Sequence, residues 1–333
     1  MKENIMLNFL YVNPALINPK TKENTREQEV QKLLKLKEEG YVLIGLEMTV
    51  PELATLCDLN IDPQHTQQKI TQSCVREVCL KKEELLSPYK GKKVIFLTNR
   101  VDLDSVSSYI VANNYLNDID TPYNLSLKEI NTHDTFQTRP WQKQTTIEEG
   151  FNPNNKTAAL ASSLKPFMIT PENIKAVTQY IETGEVDCSI MENFQRTQQT
   201  IIEKVKSGEI SVTSANGIAI VETTLPCATN VGYCYAPVVI ALNPQMRNPD
   251  GSTYRKISIC QHEAGYVDLT KVKETLNQTN PGWGGNPNFI GSPQGESCEI
   301  SINELQQLVT KNLTPEYKAK TTSTFLKTND FEK

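Results

Sequence analysis

The chain has 333 residues, a formal net charge of −5, and 38% hydrophobic against 22% charged residues. That is enough for two ordinary domains with a sizeable core, and the balance is that of a globular chain, not a disordered one. No apolar run approaches the roughly 20 residues that span a bilayer. The start, Met1 to Leu10, is too short and too polar for a secretory signal, so a cytoplasmic protein with no membrane partner is expected. The negative charge argues against a long nucleic-acid duplex as partner, because such proteins carry a basic face. It leaves open a short oligonucleotide, or a nucleotide held through metal ions. Eight cysteines without a CxxC pair read as reduced, mostly buried thiols, in preference to a disulfide framework or a zinc site.

In chain order, residues 25–39 predict a helix ended by Gly40, with Val30, Leu33, Leu34 and Leu36 inward. Tyr41 to Leu46 is a continuous apolar run, the mark of a strand buried on both faces. Pro51 opens a short helix reaching Cys57. Lys92 to Leu97 is a second buried strand, and Ser105 to Leu116 a helix burying Val106, Tyr109, Ile110 and Leu116. Alternation of strand and helix predicts a mainly parallel sheet covered by helices, filling residues 1–165. Thr145 to Ser163, with Asn152-Pro-Asn-Asn155, reads as a linker or surface loop. Thr170-Pro171 opens a helix to about Gly184 and a second covers roughly Met191 to Lys206, so 166–207 is a helical linker. From Gly208 the texture changes. Ile210–Ser214, Gly217–Thr223, Ala236–Leu242 and Arg255–Ile259 read as strands of a smaller, sheet-rich α/β domain over 208–333. Ser301-Ile-Asn-Glu304 is a capping box before a last helix, and the Lys/Thr-rich tail after Pro315 is expected to fray. The fold class is α/β throughout.

Two aspartates, Asp102 and Asp104, stand just past the second buried strand and just before a helix, where open α/β sheets place their ligands. In extended backbone, residues two apart face the same way. Such carboxylates repel unless something positive lies between them, and a divalent cation is the usual answer. The alternative is that Asp104 or Ser105 caps the helix. A second cluster runs from Glu47, at a strand end, to Asp62 and His65. A neutral imidazole is a good ligand for Mn²⁺, and a neighbouring carboxylate can fix its tautomer; an ordinary surface-loop histidine is the alternative. A third segment, Glu129 to Phe136 with Trp141 nearby, reads by itself as Asp134 in a turn, with Phe136 and Trp141 in the core.

Between Pro281 and Gly295 lie five glycines and three prolines, which excludes a regular helix or a central strand. Gly284 and Gly285 can expose successive N–H groups to an anion; a tight turn between two strands is the other reading. Before this loop, Tyr254 to Cys260 reads as a strand. Tyr266-Val-Asp268 then leads into an amphipathic helix with Leu269, Val272 and Leu276 on one face. His262, after the strand, is expected to be exposed and substrate-facing. Tyr233 and Tyr235 are expected in core or interdomain packing, with base stacking as the alternative.

Strand, "VDL", helix and "GWGGNPNFIG" together resemble the C-terminal half of the DHH-associated domain of DHH-family phosphoesterases, with its G-G-G-H-P-x-A-A-G pattern. Trp283 takes the first Gly, Gly284 and Gly285 match, Asn286 replaces the His, Pro287 matches and Gly291 is the final Gly. Asn keeps a donor and an acceptor but does not titrate, so substrate contact survives at Asn286 and proton transfer does not. Glu47, the short helix after it, and Ile61-Asp62-Pro-Gln-His65 resemble the family's strand-end Asp and its DHH triplet. Asp134 resembles a further metal ligand, and Asp102 and Asp104 the D-x-D strand. The triplet-like segment here precedes D-x-D, the reverse of the family order, as a circular permutation of the first domain would produce.

The resemblance implies metal ligands Glu47, His65, Asp102, Asp104 and Asp134, with Asp62, His65 and Asp104 catalytic. Gly284, Gly285, Asn286 and His262 are implied as substrate contacts, and Mn²⁺ or Mg²⁺ as the cofactor. Thr98 stands where the family has a His, so the first metal site loses its imidazole while Asp104, Glu47, His65 and Asp134 keep the second. The implied activity is metal-dependent hydrolysis of a small phosphorylated substrate: a short oligonucleotide, a bisphosphate nucleotide or a cyclic dinucleotide. The alternative is a catalytically impaired relative that binds a nucleotide or a partner. A homodimer is compatible with either reading.

Overall fold

A computed structural model describes residues 8–15, 23–66, 71–135, 146–248 and 250–317, apart from the side chains of His65 and Thr66. The chain folds into two compact units, Met1–Gln137 with Asn154–Gln195, and Thr138–Pro153 with Arg196–Lys333. Among the described residues no helix is long and apolar enough to cross a membrane.

The first unit is built on four parallel strands, β1 (Phe9–Tyr11), β2 (Val42–Leu46), β3 (Leu59–Ile61) and β4 (Val94–Thr98), in the order β1-β4-β2-β3. Both faces of this sheet are covered, which is why its strands read as unbroken apolar runs. Side chains of a strand alternate between faces. Leu43, Ile95 and Leu97 pack with Leu33 of helix Thr25–Glu38 on one face. Ile44, Leu46, Val94 and Phe96 pack on the other against helices Cys74–Leu86 and Leu103–Leu116. Phe9 stacks on Tyr109 at 4.6 Å between ring centroids. Leu34, expected inward, is 38% exposed, since Leu33 already occupies the face that meets the sheet. Leu116 is only partly buried.

Several elements of this unit escaped the sequence pattern. Strands β1 and β3 are three residues long, too short to show alternation. Helices Cys74–Leu86 and Leu125–Asp134 were not anticipated. The stretch read as a polar loop contains helix Ile147–Gly150 with buried Phe151, which belong to the second unit, and helix Lys156–Ser163 with buried Ala159 and Leu160, which belong to the first. Asn155, taken as a loop residue, is the N-cap of the second of these, accepting from Ala158 N at 2.9 Å. Helix Pro171–Thr183 begins at the Thr170 cap and ends at Gly184 (φ 71°), and it places Val177, Tyr180 and Ile181 in the first unit's core. Helix Cys188–Ser207 follows.

The second unit holds a six-stranded sheet of β5 (Ser211–Ala215), β6 (Ile218–Glu222), β7 (Val238–Arg247), β8 (Thr253–Gln261), β9 (Gly284–Asn286) and β10 (Phe289–Gly291). Its order is β5-β6-β7-β8-β10-β9, with β6 and β7 parallel and the other pairs antiparallel. Helices Leu269–Thr279 and Ile302–Lys311 cover one face. Leu269, Val272 and Leu276 are buried there, as their spacing predicted. Ile201 and Ile202, Tyr233 and the short helix Ala228–Gly232 cover the other face. Tyr233 is fully buried, while Tyr235 is 41% exposed and contributes no core packing. All eight cysteines are free thiols, of which only Cys188 is exposed.

Candidate metal centre

The loops leaving the carboxyl ends of β2 and β4 lie side by side, because those strands are neighbours. Glu47, the first residue after β2, has a left-handed backbone (φ 55°) although it is neither Gly nor Asn. Such a conformation persists where its surroundings over-determine it, and here they do. Glu47 N donates to Ile61 O at 3.0 Å. Asn60, on β3, brackets the next residue: its Oδ1 accepts from Met48 N at 3.2 Å and its Nδ2 donates to Met48 O at 3.0 Å. Asn99, beyond β4, pairs with Thr49 through Thr49 N to Oδ1 at 3.0 Å and Nδ2 to Thr49 Oγ1 at 2.9 Å. Gly45 makes room for this clamp, since a Cβ there would stand 2.5 Å from Asn60 Oδ1. The result aims a buried carboxylate at the end of the sheet.

Asp104 lies in the first turn of helix Leu103–Leu116 and is buried. Its Oδ2 accepts from Cys74 N at 2.7 Å and its Oδ1 from Val75 N at 2.9 Å, the opening amides of helix Cys74–Leu86. Those amides favour an anion. The same turn gathers two more elements. Ser73 N donates to Asn131 Oδ1 at 3.0 Å, and Cys74 Sγ lies 3.3 Å from Ile61 O. Asn131 is one turn before Asp134, the last residue of helix Leu125–Asp134. Gln64, from the segment between Asp62 and His65, donates through Nε2 to Asp134 Oδ2.

Glu47, Asp104 and Asp134 converge, each offering a carboxylate oxygen within 4.8 Å of the others. Burial is the largest influence on Glu47, and with Asp104, Asp134 and Asp102 nearby it holds that carboxyl well above the usual range against the opposing charge of Arg100. Asp104 is raised well above its usual range by burial first, then by Asp134 and Asp102, against the pull of the two amides. Three crowded hard oxygen donors, two of them buried, suit a divalent cation of the Mg²⁺ or Mn²⁺ kind better than a thiolate-seeking metal. The residues present fit such an ion.

The other expected ligands are placed differently. Asp102 is the N-cap of helix Leu103–Leu116: its Oδ1 accepts from Ser105 N at 2.9 Å, with Ser105 Oγ returning the capping box. Its Oδ2 pairs with Arg100 Nε at 2.9 Å. The pair Asp102 and Asp104 therefore splits, because the chain turns into a helix at Leu103 and i, i+2 positions no longer share a face. Asp62 is buried at the end of β3, outside the group of three. Thr98, expected at the position of a metal-site His, spends its hydroxyl on the strand end, donating to Arg100 O at 2.8 Å and accepting from Arg100 N at 3.2 Å. His65 belongs to helix Pro63–Thr66, but its side chain, like Phe136 and Trp141, lies outside the described residues. Gln64 was missed; a polar residue inside a triplet-like motif was the available signal.

Glu47→Gln separates site from scaffold. Removing one of three crowded carboxylates should raise the metal-free protein's thermal stability, by about 1 kcal/mol. It should also weaken Mn²⁺ binding at least tenfold. Thermal melts with and without Mn²⁺ check both; a variant less stable than the wild type would count against the crowding.

In the second unit the glycine loop is a hairpin, β9 with β10. A Cβ on Gly285 (φ 121°) would stand 2.1 Å from Phe289 O, so this glycine is required by the turn itself. Asn286 Oδ1 accepts from Asn288 N at 2.8 Å and Phe289 N at 3.1 Å, which commits that oxygen to the turn. Asn277 clamps the approach, its Oδ1 taking Gly282 N at 2.8 Å and Trp283 N at 2.9 Å. Gly284 differs: it is exposed, and a Cβ there would meet nothing within 4 Å. His262, expected to be exposed, is 7% exposed, with its ring edge-on to Tyr233 at 5.5 Å and its backbone N–H donating to Pro237 O. It is drawn inward because its backbone stays tied to Pro237 just beyond the end of β8, while the Gln261 side-chain oxygen takes Tyr266 N and Val267 N at 3.0 Å each.

No family model and no curated protein matches the chain. Among solved structures, it is similar to PggH, a pGpG-specific phosphodiesterase from Vibrio cholerae, at 10% identity and a TM-score of 0.33, covering 85% of this chain and 99% of that one. It is also similar to an uncharacterized protein from Helicobacter pylori G27, at 11% identity and a TM-score of 0.20, covering 89% and 90%. Likenesses at these scores carry no argument about fold or activity.

Proposed function

We propose that the chain is a metal-dependent phosphoesterase of DHH-like type, acting on a small phosphorylated or nucleotide substrate. The observation that carries this reading is the convergence of Glu47, Asp104 and Asp134 at the carboxyl edge of a parallel sheet. Glu47, Asp104 and Asp134 would hold Mn²⁺ or Mg²⁺, and when bound such an ion supplies Lewis acidity towards a phosphoryl oxygen and a more acidic water. The chain's own residues keep the donors in place. The Cys74 and Val75 amides fix Asp104, Gln64 steadies Asp134, and the Asn60 and Asn99 brackets hold the turn at Glu47. In the second unit, Gly284 is the position with open space above its backbone and is the candidate for contact with an anionic group.

A second reading, a nucleotide- or partner-binding module without turnover, is favoured by three committed side chains. Asp102 caps a helix, Thr98 closes a strand end and Asn286 accepts within its own turn. Hydrolysis of short oligonucleotides, bisphosphate nucleotides and cyclic dinucleotides, with Mn²⁺ and with EDTA, separates the two. The phosphoesterase reading predicts turnover with Mn²⁺ that EDTA abolishes and that Glu47→Gln lacks. Metal binding without turnover on any of the three classes would favour the module.

A further inference from the structure

We propose that Arg100 is the anion-recognition residue of the metal centre. Its guanidinium receives a phosphate group beside the three carboxylates, and Asp102 is the positioning residue that orients it. The assignment of a reaction rests on the phosphoesterase reading; the assignment of binding does not.

Four carboxylates stand at this end of the sheet, Glu47, Asp102, Asp104 and Asp134, and together they repel any phosphate. A divalent cation offsets only part of that charge. Among the described residues, Arg100 follows β4 two positions before Asp102 and four before Asp104, and Asp102 first, then Glu47, Asp134 and Asp104, favour its charged form. Its backbone is fixed: the carbonyl accepts from Thr98 Oγ1 at 2.8 Å and Ser105 Oγ at 2.9 Å, and its N–H donates back to Thr98 Oγ1. Its side chain, by contrast, is 66% exposed. An arginine serving only to neutralise the buried carboxylates would be drawn in between them. This one keeps most of its side chain in solvent.

Asp102 Oδ2 forms an ion pair with Nε at 2.9 Å, a charge contact without an aligned hydrogen bond, and Asp102 is itself anchored as a helix cap by Ser105 N. Among the described residues no hydrogen bond takes the terminal nitrogens, which carry most of the N–H donors. A planar fork of this kind matches two oxygens of a phosphate, which a lysine's point charge does not. The split of Asp102 from Asp104 then has a purpose: one carboxylate belongs to the cation site and the other to the arginine.

Inorganic phosphate is the probe. Calorimetric titration into the full chain, with and without Mg²⁺, is paired with kinetics on bis(p-nitrophenyl) phosphate in the presence of Mn²⁺. Arg100→Ala should raise the phosphate Kd, and KM for the diester, by about 10- to 100-fold while leaving metal affinity unweakened. Arg100→Lys should restore only part of the loss. Asp102→Asn keeps the helix cap, since Asn caps as well as Asp, and should raise the phosphate Kd by about three- to tenfold in a protein that melts normally. The inference is overturned if wild type binds no phosphate, or if Arg100→Ala binds it as wild type does, whatever its melting temperature. Phosphate binding lost in Arg100→Ala with no diester hydrolysis by wild type would uphold the arginine and overturn the phosphoesterase reading instead.

Discussion

Asp104→Ala should cost both stability and activity. The side chain accepts from two buried amides, Cys74 N and Val75 N, and truncation leaves both donors without their anionic acceptor. Hydrogen bonds to a charged group contribute about 1.5–3 kcal/mol each, and relief of repulsion from Glu47 and Asp134 returns some of that, so a net loss of about 2–4 kcal/mol is expected. Metal-dependent turnover should fall at least about a hundredfold. Loss of activity in an unstable variant proves little alone. The test is the comparison with Glu47→Gln, which removes a carboxylate from the same cluster but breaks no backbone anchor. If the three acids form a cation site, the two variants share the loss of metal binding and move in opposite directions in a thermal melt. Destabilisation by both would mean that Glu47, like Asp104, is structural.

Gly285→Ala should disrupt the β9–β10 hairpin. The new methyl would lie 2.1 Å from Phe289 O and 2.9 Å from Ile290 Cα, on a backbone with φ 121° that an L side chain rarely adopts. Neither contact involves a flexible side chain that could swing aside. A loss of about 3 kcal/mol or more is expected, read as a lower denaturation midpoint of the second unit. Gly284→Ala places its methyl in open space and should leave stability within about 0.5 kcal/mol of wild type. The two neighbours thus part company: one glycine serves the turn, and the other is free for close approach by a ligand. If Gly284→Ala weakens substrate binding in a fully stable protein, the anion-contact role survives. Unchanged binding leaves the loop as a turn alone.

What could be read from the sequence follows from where the physics is local. The buried strands β2 and β4 were visible as apolar runs, because a sheet covered on both faces tolerates little else. Thr170-Pro171 with Gly184 marked both ends of a helix through capping and left-handed backbone, and Ser301 with Glu304 marked another. Glu47, Asp104 and Asp134 could be picked out by family resemblance. Their convergence was implied by the same resemblance, whereas the device that produces it, the turn at Ser73–Val75 meeting three elements, is announced by nothing in those residues. Asp102 shows the limit most clearly. Spacing alone makes Asp102 and Asp104 a pair on one face; a single helical turn starting at Leu103 sends one to a cap and the other into the cluster. His262 misled because Cys260-Gln-His-Glu looks like a strand giving way to solvent, whereas Gln261 folds the following backbone over it. Asn286 was read for the chemistry of its amide when the turn had already used the oxygen. In each case the residue type was right for the role imagined, and a backbone requirement took precedence.

The most direct test of a cation site is an anomalous difference map from crystals grown with Mn²⁺. A peak enclosed by the carboxylates of Glu47, Asp104 and Asp134 is the predicted result. Density for manganese elsewhere, or three acids with no ion among them at saturating metal, would contradict it.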